Sequence, residues 1–208
     1  MFNDNVSKSF KLTYFISSFL LSYLFLIIIM YVQYVETNGK FFPDVQVLVT
    51  KKIAFIFLII LSLCSLSSLI YVKSKISESR RYLRINSEEG RLGYSYNNGS
   101  REFILGVLLP VVTTISVPEA PITGIVGLLL IQIILGYFFW NSNELFVNVP
   151  LILFGYSLVI GKKGNQDLLL FVQNKELKKL LGKNINFVYL GTVTKSNLGI
   201  VGEEIRNV

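Results

Sequence analysis

The chain has 208 residues, 52% of them hydrophobic, and a formal net charge of +7. It contains no histidine and a single cysteine, Cys64, which excludes a histidine-based metal centre, a histidine general base and any intrachain disulfide. The positive charge points to a membrane surface before it points to nucleic acid, because the apolar residues are gathered into long blocks instead of alternating with polar ones.

The first block covers residues 12–34 and follows Lys8 and Lys11. It is longer than a signal-peptide core of roughly 7–15 residues, and no small-residue cleavage site follows it, so it reads as an uncleaved anchor. The second block is 53–72, with Cys64 mid-way along it. The third, 103–117, is interrupted by Pro110, which removes one backbone hydrogen bond and kinks a membrane helix. Thr113 and Thr114 stand where they can satisfy the freed carbonyl. A tight turn, Val117-Pro118-Glu119-Ala120-Pro121, leads into the fourth block, 120–140. Blocks three and four therefore form a helical hairpin, either spanning or re-entrant. No block contains an ionisable residue, and the first, second and fourth reach the roughly 20 residues that a hydrocarbon core of about 30 Å requires.

Charge sets the orientation. The connection 73–102 carries Lys73, Lys75, Arg80, Arg81, Arg84, Arg91 and Arg101, and the segment after 161 is rich in lysine from Lys162 and Lys163 onward. The 35–50 loop has only Lys40, and the turn at Pro118 has no positive charge. The positive-inside rule then puts both termini in the cytoplasm.

A fifth charge-free stretch, 145–161, contains Pro150 and would carry the lysine-rich tail outward if it spanned. It reads instead as buried strand. Residues 156–160 and 168–172, joined by a longer loop over 161–166, read as a β-hairpin. Leu177, Leu180 and Leu181 make one face of a helix over 174–181, and 186–190 is a further strand. Residues 93–100 read as a turn-rich connection. The expected fold is an all-α membrane bundle of four transmembrane helices (residues 1–144), both ends cytoplasmic, carrying a small cytosolic α+β domain (145–208).

Few side chains carry chemistry. Gln132, deep in the fourth block, needs a partner in hydrocarbon and is expected to face another helix. Ser18 and Ser22, a small-xxx-small pair, and Gly124 with Gly127 permit close helix approach. Gly155…Gly161-Lys162-Lys163 lacks both the spacing of a phosphate-binding loop and the Ser or Thr that follows its lysine. With no nucleophile beside an activating base, and no ionisable group at membrane depth, the expectation is a non-enzymatic protein without cofactor or metal, and not a proton-coupled carrier. The rival reading is a small oligomeric channel or a transporter accessory subunit, lined by Thr113, Thr114, Gln132 and Asn141 with Glu119 at its outer mouth.

The order of these features, with Leu108-Leu109-Pro110 in the third block and Asn148-x-Pro150-Leu151 leading to Phe154-Gly155-Tyr156, resembles the KwaA family, the membrane subunit of the Kiwa antiphage defence system. The resemblance covers most of the chain from the third block onward and, by architecture, the first half. It implies a bacterial inner-membrane protein in the lipid bilayer, a homo-tetramer, that senses phage attack and holds a soluble DNA-binding effector, KwaB, without contacting nucleic acid itself. Arg80, Arg81, Arg84, Lys162 and Lys163 are the expected contacts with that partner.

Overall fold

The computed structural model describes residues 7–39, 49–81, 87–96, 121–141, 145, 148–190 and 198–204. Three helical stretches are long and apolar enough to cross a membrane: Lys8–Thr37, Lys51–Arg80 and Ile122–Asn141. The third apolar block and the turn at Pro118 lie outside the described residues.

The first stretch is two helices, α1 (Lys8–Ser18) and α2 (Leu20–Asn38), jointed at Phe19. The joint has a local cause. Ser17 Oγ donates to the Tyr14 carbonyl at 2.8 Å and Ser18 Oγ to that of Phe15 at 2.7 Å, while the Phe19 N–H reaches only three residues back, to Ile16 O at 3.3 Å. Hydroxyls bonding back onto the preceding turn compete with the regular ladder and bend helices. Helix α3 (Val49–Arg81) buries Ala54, Leu58, Ser62, Ser65, Leu69, Val72 and Ile76, a stripe at spacings of three and four. Its 33 residues extend about 50 Å, longer than the roughly 30 Å of a hydrocarbon core. Helix α4 (Pro121–Asn141) turns Ile125, Leu128, Gln132 and Phe139 inward.

The rest is a closed barrel of β1 (Glu88–Tyr96), β2 (Tyr156–Lys163), β3 (Gln166–Gln173), β4 (Asn184–Tyr189) and β5 (Leu198–Glu204), in the order β1-β2-β3-β5-β4. A five-residue helix, α5 (Val149–Leu153), precedes β2, and α6 (Asn174–Leu180) joins β3 to β4. All neighbours are antiparallel except β3 and β5, where Leu169 stands opposite Leu198 and Phe171 opposite Ile200. This connectivity is that of the five-stranded Greek-key barrel known as the oligonucleotide/oligosaccharide-binding fold. One loop differs from the compact form of that fold: between β1 and β2 the chain makes the whole excursion 97–155, including α4 and α5.

Several expectations meet corrections here. The 145–161 stretch is not one buried strand: α5 occupies its middle, and β2 starts at Tyr156. The β2–β3 loop is shorter than read, since Lys163 pairs with Gln166 across Gly164 and Asn165, and Gly164 takes the positive φ (57°) that such a tight turn demands. The connection 93–100 carries the end of β1 through Tyr96, so the α+β unit is a barrel that takes its first strand from before α4.

The apolar runs of β2 and β3 are continuous because both their faces are buried. Val159, Leu168, Leu170 and Val172 fill the barrel with Leu92, Ile185, Phe187 and Val201. On the other face Leu158, Leu169, Phe171, Leu198 and Ile200 pack against Phe10 and Tyr14 of α1 and Leu69, Val72 and Ile76 of α3. The barrel therefore sits at the end of the bundle where α1 begins and α3 ends.

Inside the barrel, a Cβ on Gly199 would stand 2.9 Å from both the Val188 carbonyl and Leu170 Cδ2. The first neighbour is backbone and has no rotamer to yield. Gly199→Ala is expected to destabilise the barrel by about 1–3 kcal/mol, measured as a lower midpoint of denaturation in detergent.

Candidate functional site: the junction of helices and barrel

Asn148 stands at the centre of the junction. As N-cap of α5 it accepts the Leu151 N–H on Oδ1 at 2.9 Å, with Pro150 in the first turn. Its Nδ2 donates to the Tyr14 carbonyl at 3.1 Å and to Ser17 Oγ at 2.6 Å. Asn148 is buried, and its amide ties α5 to the α1 turn that carries the joint. A second asparagine continues the chain of contacts. Asn174 Nδ2 donates to the Ile152 carbonyl at 2.8 Å, and its Oδ1 accepts from Ser157 Oγ at 2.7 Å. The Asn174 N–H donates to the Gly155 carbonyl at 3.0 Å. The end of β3, α5 and the start of β2 are thus held together by one residue.

Aromatic rings complete the seam. Phe171 lies 6.4 Å from Phe10 and 6.2 Å from Tyr14, and Tyr14 stacks on Phe139 of α4 at 6.4 Å. Higher in the bundle, Ser65 Oγ donates across to the Ile16 carbonyl at 2.7 Å, in a serine-lined contact that also buries Ser17, Ser18, Ser22 and Ser62. Hydroxyls of this kind let helices approach closely and supply interhelical bonds where water is absent.

The basic residues singled out in the sequence are spread around the barrel. One terminal guanidinium nitrogen of Arg80 donates to both carboxylate oxygens of Glu176 on α6, at 2.9 and 3.0 Å. Lys163 binds Glu88 of β1, with its ammonium 5.7 Å over the Tyr189 ring. The Glu88 bond raises the Lys163 pKa above its ordinary value, and burial raises that of the Tyr189 phenol. Lys162 is exposed, as are Lys178 and Lys179 on α6. The side chain of Arg81, and Arg84 altogether, lie outside the described residues.

In the bundle, Ser18, Ser22 and Gly124 are buried, while Gly127 has nothing within 4 Å of where a Cβ would stand. A close approach is also found at Gly136, where a Cβ would meet the Phe15 ring at 3.2 Å. Gln132 accepts from Tyr23 Oη at 2.8 Å, and its Nε2 has no partner among the described residues. It lines an open groove of about 480 Å³ with Leu12, Phe15, Gly136 and Trp140. Among the described residues no three His, Cys, Asp or Glu side chains come together as a metal site. The arrangement joins the helices to the barrel through side chains of both. Sequence reasoning passed over Asn148 and Asn174 as polar anchors, although an asparagine two residues before a proline at the head of an apolar turn is a helix-start signal.

The sequence profile of the family described as anti-phage protein KwaA matches residues 10–194. No curated protein and no solved structure matches the chain.

Removing the Asn148 amide leaves the buried Leu151 N–H without its acceptor and cuts the tie to α1, although the Tyr14 carbonyl keeps Ser17 Oγ as a donor. Asn148→Ala is expected to cost about 1–3 kcal/mol, read as a lower thermal midpoint in detergent. Asn148→Asp keeps the cap but sets an oxygen against the Tyr14 carbonyl, and should cost at least as much. A double-mutant cycle on Arg80→Ala and Glu176→Ala should return a coupling of about 1 kcal/mol or less, because both groups are partly solvated.

Proposed function

The chain belongs to the KwaA family of anti-phage proteins, and from that premise we propose that it is a non-enzymatic sensor and anchor of a bacterial defence complex. It lies in the inner membrane as a homo-oligomer, expected to be a tetramer, and presents its barrel to a soluble DNA-binding effector in the cytoplasm. The observation that carries this reading is the apolar seam between bundle and barrel, from Phe10 and Tyr14 through Phe171 to Ile76. A barrel fused to its helices along one whole face moves when they move, which is what passing a membrane event to a cytosolic partner requires.

The split barrel supports four crossings. Strands β1 and β2 are neighbours in one barrel, so the chain between them must cross the membrane an even number of times. Helix α4 supplies one crossing, and the apolar block 103–117 is the segment available for the other. Helices α1–α2 and α3 run antiparallel, with the start of the first and the end of the second both on the barrel. In this reading the termini of the bundle and the barrel share the cytoplasmic side.

The barrel face that takes oligonucleotides in other proteins of this connectivity, formed largely by β2 and β3, is here packed on α1 and α3. Effector docking therefore falls to the remaining surface, where Lys162, Lys178 and Lys179 are exposed. Arg80 and Lys163, also expected at that contact, are joined to Glu176 and Glu88, so their reversal to acid would disturb the barrel as well as a partner.

Two measurements test the reading. Co-purification of the tagged chain with the DNA-binding product of the adjacent gene should fall about tenfold, or about 1.4 kcal/mol, on reversing Lys162, Lys178 and Lys179 to Glu together. Unchanged recovery would remove these three lysines from the interface. With Cys64 replaced by Ser, cysteines at Thr37 and Glu119 should react with an impermeant maleimide in intact spheroplasts, and one at Lys183 only after lysis. Labelling of Lys183→Cys from outside would overturn the topology.

A further inference from the structure

Two large apolar side chains on the barrel side of the bundle are bare. Leu153, at the end of α5, is 69% exposed, and Phe154, immediately after it, 49%. Their depth follows from their neighbours. Asn148, five residues before Leu153, bonds to Tyr14 and Ser17, which lie inside the apolar run that begins at Leu12. Leu151 shares a cluster with Leu20. On α3 the apolar run ends at Val72, and the first charge beyond it, Lys73, holds its ammonium 5.6 Å from the centroid of the Phe154 ring. Directly before Lys73 stand Ile70, 61% exposed, and Tyr71, also exposed. Leu153 and Phe154 thus continue the apolar outer band of α3 at the height where it meets its first positive charge.

We propose that α5 and Phe154 form a lipid-contacting foot, with Leu153 and Phe154 set into the headgroup–acyl boundary of the leaflet on the barrel side and Lys73 against the anionic headgroups beside them. The inference rests on the membrane reading of the helices. Three features fit lipid better than protein as the occupant. The pair is continuous with an apolar band, it stands at the band's edge, and an ammonium rather than a carboxylate accompanies it, matching the charge of anionic phospholipid. The foot is positioned by the protein, since a five-residue helix has no stability of its own. Asn148 holds one end to α1, and Asn174 holds the Ile152 carbonyl to the end of β3. A change in lipid packing or charge that displaces the foot therefore pulls on α1 and on the barrel at once.

The test places a tryptophan on the foot and asks what surrounds it. In a Trp140→Phe background, Leu153→Trp and Phe154→Trp are reconstituted into phosphatidylethanolamine–phosphatidylglycerol vesicles containing lipid brominated at either the 6,7 or the 11,12 acyl positions. Leu130→Trp on α4 and Ile60→Trp on α3, both exposed well inside their helices, serve as depth standards. The expected result is at least twofold stronger quenching of the foot positions by the shallow bromines than by the deep ones, with the reverse order at the standards. Foot positions unquenched while the standards are quenched would mean that protein, a second copy or a docked partner, covers them, and the proposal fails. Standards unquenched as well would sink the membrane reading itself. Lys73→Gln should abolish the increase in foot quenching on raising the phosphatidylglycerol fraction; an unaltered increase would remove Lys73 from the headgroup contact.

Discussion

Away from their hairpin turn, strands β2 and β3 have no face left for water, and the rest of the molecule follows from that. One side of each strand closes the barrel, and the other is spent on α1 and α3. In a small free-standing barrel the outer side chains alternate with the inner ones as polar with apolar. Here Leu158, Leu169 and Phe171 are as apolar as Val159, Leu168 and Leu170 between them, so separating the barrel from α1 and α3 would turn apolar side chains of both parts to water. Fully burying a phenylalanine or leucine contributes about 1.5–3 kcal/mol. A seam of more than a dozen such side chains outweighs by far the exposed ion pairs around it.

What the sequence made legible is what local pattern encodes. The three long helices, the β2–β3 hairpin, α6 and β4 were readable from apolar runs and spacings, since their burial is decided within a few residues. Strand β1 was not. Its run Glu88-Glu89-Gly90-Arg91-Leu92-Gly93 has one large apolar residue, Leu92, and carries glycine where the Phe187 ring comes within 2.9 Å of a would-be Cβ. Its strand character is imposed by β2 and β4. Val149–Leu153 reads as strand because it is apolar throughout, which leaves no period to read, and what fixes it as helix α5 is the Asn148 cap.

The candidate site divides the same way. Arg80 and Lys163 stood out as basic residues near the membrane, but their acidic partners Glu176 and Glu88 lie 96 and 75 positions away, beyond any local pattern. Gln132 announced itself as an amide in a hydrocarbon block, and Tyr23, its hydrogen-bond donor, had no such mark. The serine contact was half visible: Ser18 and Ser22 were picked out, whereas Ser62 and Ser65 opposite them were lost in a serine-rich stretch. Pairings across elements depend on which faces meet, and only the assembled helices decide that.

The division of the barrel by α4 has a consequence for how the chain is made. Strand β1 leaves the ribosome before any of its partners exist, and its pairing with β4, from Asn184 onward, waits for about ninety further residues, roughly 5–20 s of synthesis. An apolar strand left open for that time at a membrane surface would pair with whatever edge it met. Two adjacent carboxylates, two glycines and an arginine make β1 a poor template for such pairing, at the expense of its own strand propensity. Its closure then comes last, and joins the two ends of the 97–155 excursion.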